Sequence, residues 1–358
     1  MQRRNFITTA GAVGAVGMTA LAGCLGDDDE PDDTDDTDDT DDDVDEDAFP
    51  TDSLTWMIPW SEGGGTDQYA RQLQPLAEEP LGQSIQIDNR EGAGSMLGSE
   101  WLTEQDPDGY TFGTINSAGA HFTWRAAEID DWHIEEDFEP ISYAGVFGYT
   151  LIVNDQYGIE DFGGLRDAYA DGEITGFGYQ GVGSDSHLAT LLLRENYDLE
   201  YDTAVPYDGG GPTQEAVISD EVGAGFATNT SAVAAEESGE ASAIVNLTEM
   251  DLDDTFPGID PITNYGDSMA WLTEFWQTQL APSGTPEDVR WEISEAVEYA
   301  VEHENSQEWM DDTGNILEYG DVDEAGELWT GIVDEMESQV DDAIGGFDEF
   351  LAMVEEEG

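Results

Sequence analysis

The chain has 358 residues, with 84 acidic side chains against 8 basic ones and a formal net charge of −76. All the basic residues are arginine, and this balance excludes a nucleic-acid partner, because phosphate binding needs a basic face. Hydrophobic residues make up 39%, enough for one or two packed domains, while the surplus of carboxylates predicts a chain from an extreme halophile, where roughly 1 M salt shortens the Debye length to about 3 Å.

Residues 1–24 carry Arg3 and Arg4, then a Gly- and Ala-rich apolar run ending in LAGC. That order predicts a twin-arginine export signal, with Cys24 as the lipid-modified cysteine of a lipobox. Cys24 is the single cysteine, which excludes disulfides and cysteine metal sites. Residues 25–52 read as a disordered acidic tether. Between 27 and 47 the chain holds 16 acids, which repel one another and leave nothing to bury.

From residue 53 strand-like and helix-like segments alternate. Strands are predicted at 54–58, 84–88, 110–115, 141–146, 150–153, 174–179, 203–206, 223–226 and 243–246. Tyr69, Leu73 and Leu76 make one helical stripe, and Leu188, Leu191 and Leu192 another. Near the C-terminus Val289, Ile293, Val297 and Val301 recur every four residues, as do Leu328, Ile332, Met336 and Val340. Alternation of this kind implies mostly parallel sheets.

In such sheets ligands bind beyond the carboxyl ends of the strands, where loops enter helices. Four glycine-rich loops stand there: SEGGGTDQ (61–68), NSAGAHF (116–122), GVGSDSHL (181–188) and YDGGGPTQ (207–214). Each has Ser, Thr or Asp near the expected helix start, as an N-cap. Free N–H groups and the positive dipole end at a helix start form an anion site without a cationic side chain. Gly63, Gly64 and Gly65 let the backbone approach a ligand, and Thr66 or Asp67 is expected to cap the helix.

Other motifs fail on context. GFGYQG (176–181) matches a dinucleotide fingerprint, but its first two glycines fall within a predicted strand. His121, His133, His187 and His303 have no metal-ligand spacing. Ser184, Ser186 and His187 lack a nucleophile elbow. The segment 321–332 begins like a calcium loop but has Ala325 and Ile332 where oxygen ligands are needed. No metal or cofactor is expected.

The fragments IPWSEGGGTDQYARQL, LGQSIQIDNREGAGSMLGSEWL and DPDGYTFGTINSA resemble the opening of the Bug family, the solute-binding components of tripartite tricarboxylate transporters. The likeness continues through DFEPISYAG, GFGYQGVGSDSHLA, VPYDGGGPTQEAV and LAPSGTPEDV, over roughly residues 53–350. It implies a two-domain, periplasmic-binding-protein-like α/β fold with a central inter-domain cleft. Domain one would comprise 53–152 and 278–358, and domain two 153–277, with crossings near 151–154 and 277–281. Hinge closure over a small carboxylate is the usual device of such folds.

Carried over by motif, Ser61, Gly63, Gly64, Gly65, Thr66 and Asp67 would line one wall with Asn116, Ser117 and Ala118. Gly183, Ser184, Ser186, His187, Tyr207 and Gly209 would line the other. Two departures stand out. Asp208 stands where the family often has Lys or Arg, and Ala227 where it often has an acid, leaving Thr228 and Asn229 to supply that polar contact. The resemblance implies a monomeric lipoprotein on the outer face of the cytoplasmic membrane, which captures a di- or tricarboxylate for a membrane permease and catalyses nothing. The alternative is a membrane-anchored α/β hydrolase using the same cleft.

Overall fold

The computed structural model describes residues 49–357 apart from Ser61, Asp208 and Asp254. The export signal, Cys24, nearly all of the tether, and Ser61 therefore lie outside the described residues.

The first half of the fold opens with β1 (Leu54–Ile58), α1 (Gly65–Leu81), β2 (Ile85–Asn89) and α2 (Met96–Thr103). Next come β3 (Thr111–Asn116), α3 (Gly119–Ala126) and the long β4 (Phe138–Asn154). Then follow α4 (Phe162–Ala170), β5 (Gly176–Tyr179), α5 (Asp185–Tyr197), β6 (Thr203–Pro206) and α6 (Gly210–Ile218). After β7 (Ala224–Thr228), α7 (Asn229–Ser238), β8 (Ala241–Asn246) and β9 (Asp260–Pro261), the chain returns through α8 (Ala270–Thr273) and β10 (Glu274–Pro282). It ends with α9 (Glu287–Glu302), α10 (Glu304–Thr313), β11 (Ile316–Gly320), α11 (Val322–Trp329), α12 (Ile332–Ile344) and α13 (Phe347–Glu357).

Three of the four stripes fold as predicted. Tyr69, Leu73 and Leu76 of α1 pack with Ile293, Val297 and Val301 of α9 in one core around β1. Leu188, Leu191 and Leu192 of α5 lie in a second core beside Phe177 and Phe226. One stripe is broken: Leu328 belongs to α11 and Ile332 to α12, because Gly331 turns the chain at a φ of +86°.

The sheet runs β2-β1-β3-β10-β4-β7-β5-β6. β1 pairs in parallel with β2 and β3, and β5 with β6 and β7. The mostly parallel sheet expected from alternation is nonetheless mixed, since β4 and β10 run antiparallel to their neighbours. β4 is one strand where two were predicted. Its N-terminal part pairs with β10 and β11 and its part from Tyr149 onward pairs with β7. Gly145 and Gly148 read as breaks in the sequence. They are points of close approach instead: a Cβ on Gly145 would fall 2.6 Å from the Tyr69 ring, and one on Gly148 2.6 Å from Thr273 O. β10 carries no hydrophobic run, because Gln277, Thr278 and Gln279 are all buried in it. Gln279 is satisfied internally, donating to Thr114 Oγ1 at 3.1 Å and accepting from Ser142 Oγ at 2.9 Å.

Candidate functional site

The first glycine loop enters α1 without a side-chain cap. Its N-cap is Gly64, extended at φ −69° and ψ 168°, so neither Thr66 nor Asp67 fills the expected capping position. Asp67 is the third residue of the helix and reaches back instead. Its carboxylate accepts from Gly63 N at 2.8 Å, Arg71 Nε at 2.7 Å and Asn89 Nδ2 at 2.9 Å. Burial pushes that carboxyl up, but the bonds from Arg71, Gly63 and Asn89 outweigh it and hold it below the ordinary aspartate value. Asp67 thus organises the loop. Gly65 brings the backbone against Phe147, whose ring would be 3.7 Å from an added Cβ.

At the mouth of α3 the chain is clasped to β10. Ser117 N donates to Trp276 O at 2.9 Å, and Trp276 N donates to Ser117 Oγ at 3.2 Å. Ala118 is the N-cap, with φ +50° and ψ −69°, a γ-turn geometry that an alanine rarely adopts. No side chain caps α3. Asn116 is 9% exposed, and its Oδ1 is buried without a hydrogen-bond partner. A Cβ on Gly119 would fall 3.1 Å from the Phe275 ring and 3.3 Å from Asn116 Oδ1, which places that oxygen beside Phe275.

The 181–187 loop is stitched by its own side chains. Gly183 sits at φ +77°. Ser184 is a true N-cap, accepting from His187 N at 3.2 Å, and its hydroxyl donates to Gly181 O at 2.8 Å. Ser186 accepts from Gln180 N at 2.9 Å. His187 is fully buried; its Nδ1 accepts from Gly183 N at 3.0 Å and its ring stacks on Tyr179 at 4.8 Å. Ser186 and His187 therefore stand behind the loop and fix its shape.

The α6 mouth is again uncapped, at Gly209 with φ +101°, and Tyr207 precedes it half-buried. Gly210 approaches Gln180, whose Nε2 would lie 3.4 Å from an added Cβ. Thr228 caps α7 by accepting from Ser231 N at 3.2 Å. Asn229 is fully buried and accepts from Gly148 N at 3.0 Å, tying this mouth to the middle of β4.

The α1, α3, α5 and α7 mouths meet one strip of β4 and β10, whose Gly148, Tyr149 and Phe275 are buried. Phe147 meets the α1 loop, Gly148 meets Asn229, and Phe275 meets the α3 mouth. Tyr149 meets the 181–187 loop through Asp185, donating to its Oδ2 at 3.1 Å. The rings are continuous, Phe147 to Phe275 at 5.4 Å and Phe275 to Tyr149 at 4.9 Å. Phe350 of α13 lies against both Phe122 of α3, at 5.6 Å, and His187, at 5.7 Å, and so braces two of the mouths from behind.

Phe147, Tyr149, Phe275, Gln180 and Asp185 escaped the sequence reading. A signal was present: Phe147 and Tyr149 alternate about Gly148, which puts both on one face of a strand. No arginine among the described residues serves this strip by an ion pair with its acids. Arg71, Arg90, Arg125, Arg166, Arg194 and Arg290 are paired with Asp67, Asp88, Glu337, Asp198, Glu195 and Glu139. A cavity of about 550 Å³ does open beside Ser117 and Ala118, but Glu249, Glu274, Glu327 and Glu335 line it with Trp271 and Trp276. That wall repels an anion.

A sequence model of the tripartite tricarboxylate transporter family receptor matches residues 69–334. The chain belongs to that receptor family. The chain is also 27% identical over 259 residues to the UPF0065 protein in the tcbD-tcbE intergenic region of Pseudomonas sp. strain P51, covering 71% of this receptor and 75% of that protein. It is 26% identical over 246 residues to protein BugT of Bordetella pertussis, covering 68% and 74%. Among solved structures, MatC from Rhodopseudomonas palustris, with bound malate, superposes with a TM-score of 0.66 at 24% identity, over 82% of the receptor and all of MatC. The likeness establishes the periplasmic-binding-protein type of α/β fold. The family makes the chain a solute-binding receptor of a transport system. Its matched span contains four of the five mouths and begins two residues beyond Asp67.

Proposed function

We propose that the receptor captures a small organic carboxylate on the aromatic strip and hands it to a membrane permease, without chemistry. The observation that carries this reading is the contrast among helix mouths. α5 and α7 are capped by Ser184 and Thr228, whereas α1, α3 and α6 begin at Gly64, Ala118 and Gly209 with no side-chain cap. Uncapped N–H groups at the positive end of a helix favour an anion. Two lobes would close over the solute, 53–152 with 278–358 against 153–277, and the change of pairing partner along β4 at Tyr149 supports a hinge there. Export through residues 1–24, lipid attachment at Cys24, a monomeric state and a life in molar salt belong to the same proposal.

The hydrolase alternative gains no support, since His187 Nδ1 is taken by Gly183 N. Calorimetry in molar salt with a panel of di- and tricarboxylates tests the reading. Saturable heat from at least one is expected; no heat from any, with the fold intact by circular dichroism, overturns it.

A further inference from the structure

The cavity of about 550 Å³ beside Ser117 and Ala118 lies apart from the aromatic strip. Successive side chains of a strand point to opposite faces. Phe275 faces the strip, against Phe147 and Tyr149, so Glu274 and Trp276 on either side of it turn away and line the cavity. Trp271 of α8 adds a second half-buried indole, and Leu328 and Ile332 supply apolar surface. The volume suits a small organic molecule.

Every charged residue of the lining is an acid: Glu249, Asp267, Glu274, Glu327 and Glu335. The six arginines of the described fold are paired with other acids. Glu274 alone of the five is half-buried, and the rest are exposed. Its carboxylate accepts from Glu249 N at 2.5 Å, and burial pushes the carboxyl up against that bond. A cation beside it would offset the cost of its desolvation. Among the described residues no three His, Cys, Asp or Glu side chains stand close enough to hold a metal ion. Acids cover much of any surface in a chain that has 84 of them, so they select the sign of a ligand and not its kind. The indoles select the kind. The face of an indole attracts a cation, and a methylated ammonium sheds its water readily enough to use it. Molar salt would screen the exposed carboxylates but not that water-excluding contact.

We propose that this cavity is a second binding site, for an organic cation with a quaternary ammonium head. Trp271 and Trp276 hold the head, Glu274 is its counter-ion, and the exposed acids draw cations to the opening. The site does not rest on the carboxylate reading of the strip.

Choline and its uncharged isostere, in which a quaternary carbon replaces the nitrogen, share size and shape and differ in charge. Each is titrated by calorimetry into the full chain at pH 7.5 in molar sodium chloride. Choline is expected to bind saturably and at least tenfold tighter than the isostere. Glu274→Gln keeps an acceptor for the Glu249 amide but removes the charge, and Trp271→Leu removes one indole. Each should weaken choline at least tenfold, with the fold intact by circular dichroism. The proposal is overturned by no saturable heat from choline, by equal binding of the two probes, or by an affinity that either folded variant leaves unchanged. The outcome with the di- and tricarboxylate panel is independent of all three.

Discussion

His121 provides a measurement that is independent of any ligand. It lies in α3, fully buried, with its ring 4.2 Å from that of Trp329 and its Nε2 3.2 Å from Trp329 O. Its Nδ1 is buried and has no partner. Protonation would place a second N–H where nothing accepts it. Desolvation dominates and, although the Trp329 carbonyl opposes it and His133 adds slightly, the imidazole falls to about 3 from 6.5. The sign follows. Above pH 6.5 the residue is neutral folded and unfolded and contributes no pH dependence. Below it the unfolded chain takes a proton that the folded chain refuses, so stability falls until the pH reaches the folded value. Between pH 7.5 and 4.5 the loss attributable to this one group is about 3 kcal/mol, at about 1.4 kcal/mol per pH unit once titration begins.

The assay is denaturant unfolding in molar salt across that range, for the wild type and for His121→Gln. The remaining titrating groups are common to both chains and cancel in the difference. The variant loses some packing at every pH. The diagnostic quantity is how that gap changes, and the wild type should lose about 3 kcal/mol more than the variant on acidification. A gap constant to within about 0.5 kcal/mol would mean that the ring takes up its proton in the folded state, and the burial argument fails.

Asp67→Asn removes a carboxylate that serves three donors and should cost about 1–3 kcal/mol by denaturant midpoint at pH 7. Because the folded carboxyl is depressed, its contribution is present above the unfolded value and lost as pH falls, so the gap to wild type should narrow below about pH 4. Gly225→Ala would place a Cβ 2.8 Å from Gly178 O, backbone that cannot swing aside, and melting should report a loss of roughly 1–3 kcal/mol.

That last contact shows why part of the fold was legible. Gly176 and Gly178 looked like a phosphate fingerprint only out of context. They lie in β5, and Gly178 faces Gly225 because the two parallel strands approach there. The apolar stripes of α1, α5 and α9 were readable because burial on one helix face leaves a period in the sequence. β10 was not, because its buried face is Gln277 and Gln279, whose side-chain N–H groups are bonded within the sheet. The helix mouths were legible as glycine loops. The strip that most of them meet was not, since Phe147 and Phe275 become neighbours only through the antiparallel pairing of β4 with β10. Side-chain caps were over-read: Ser, Thr or Asp near a helix start is common, yet only Ser184 and Thr228 perform that role at these five mouths.

For a solute-binding receptor with a net charge of −76, the proposed capture of a carboxylate raises an electrostatic question that geometry answers. In dilute buffer the summed field of the surface acids extends about 30 Å at 0.01 M salt and opposes every approaching anion. In molar salt the same field is confined to about 3 Å. An N–H group within hydrogen-bond distance still acts across that length, whereas an acid two residues further off does not. Arginine would be a poor substitute here, since a guanidinium on so acidic a surface is taken by the nearest carboxylate, as each of the six in the described fold is. Backbone donors cannot be captured in that way once the helix is formed and its mouth begins at glycine or alanine. Uncapped mouths are therefore the form of anion recognition that the composition of this chain allows.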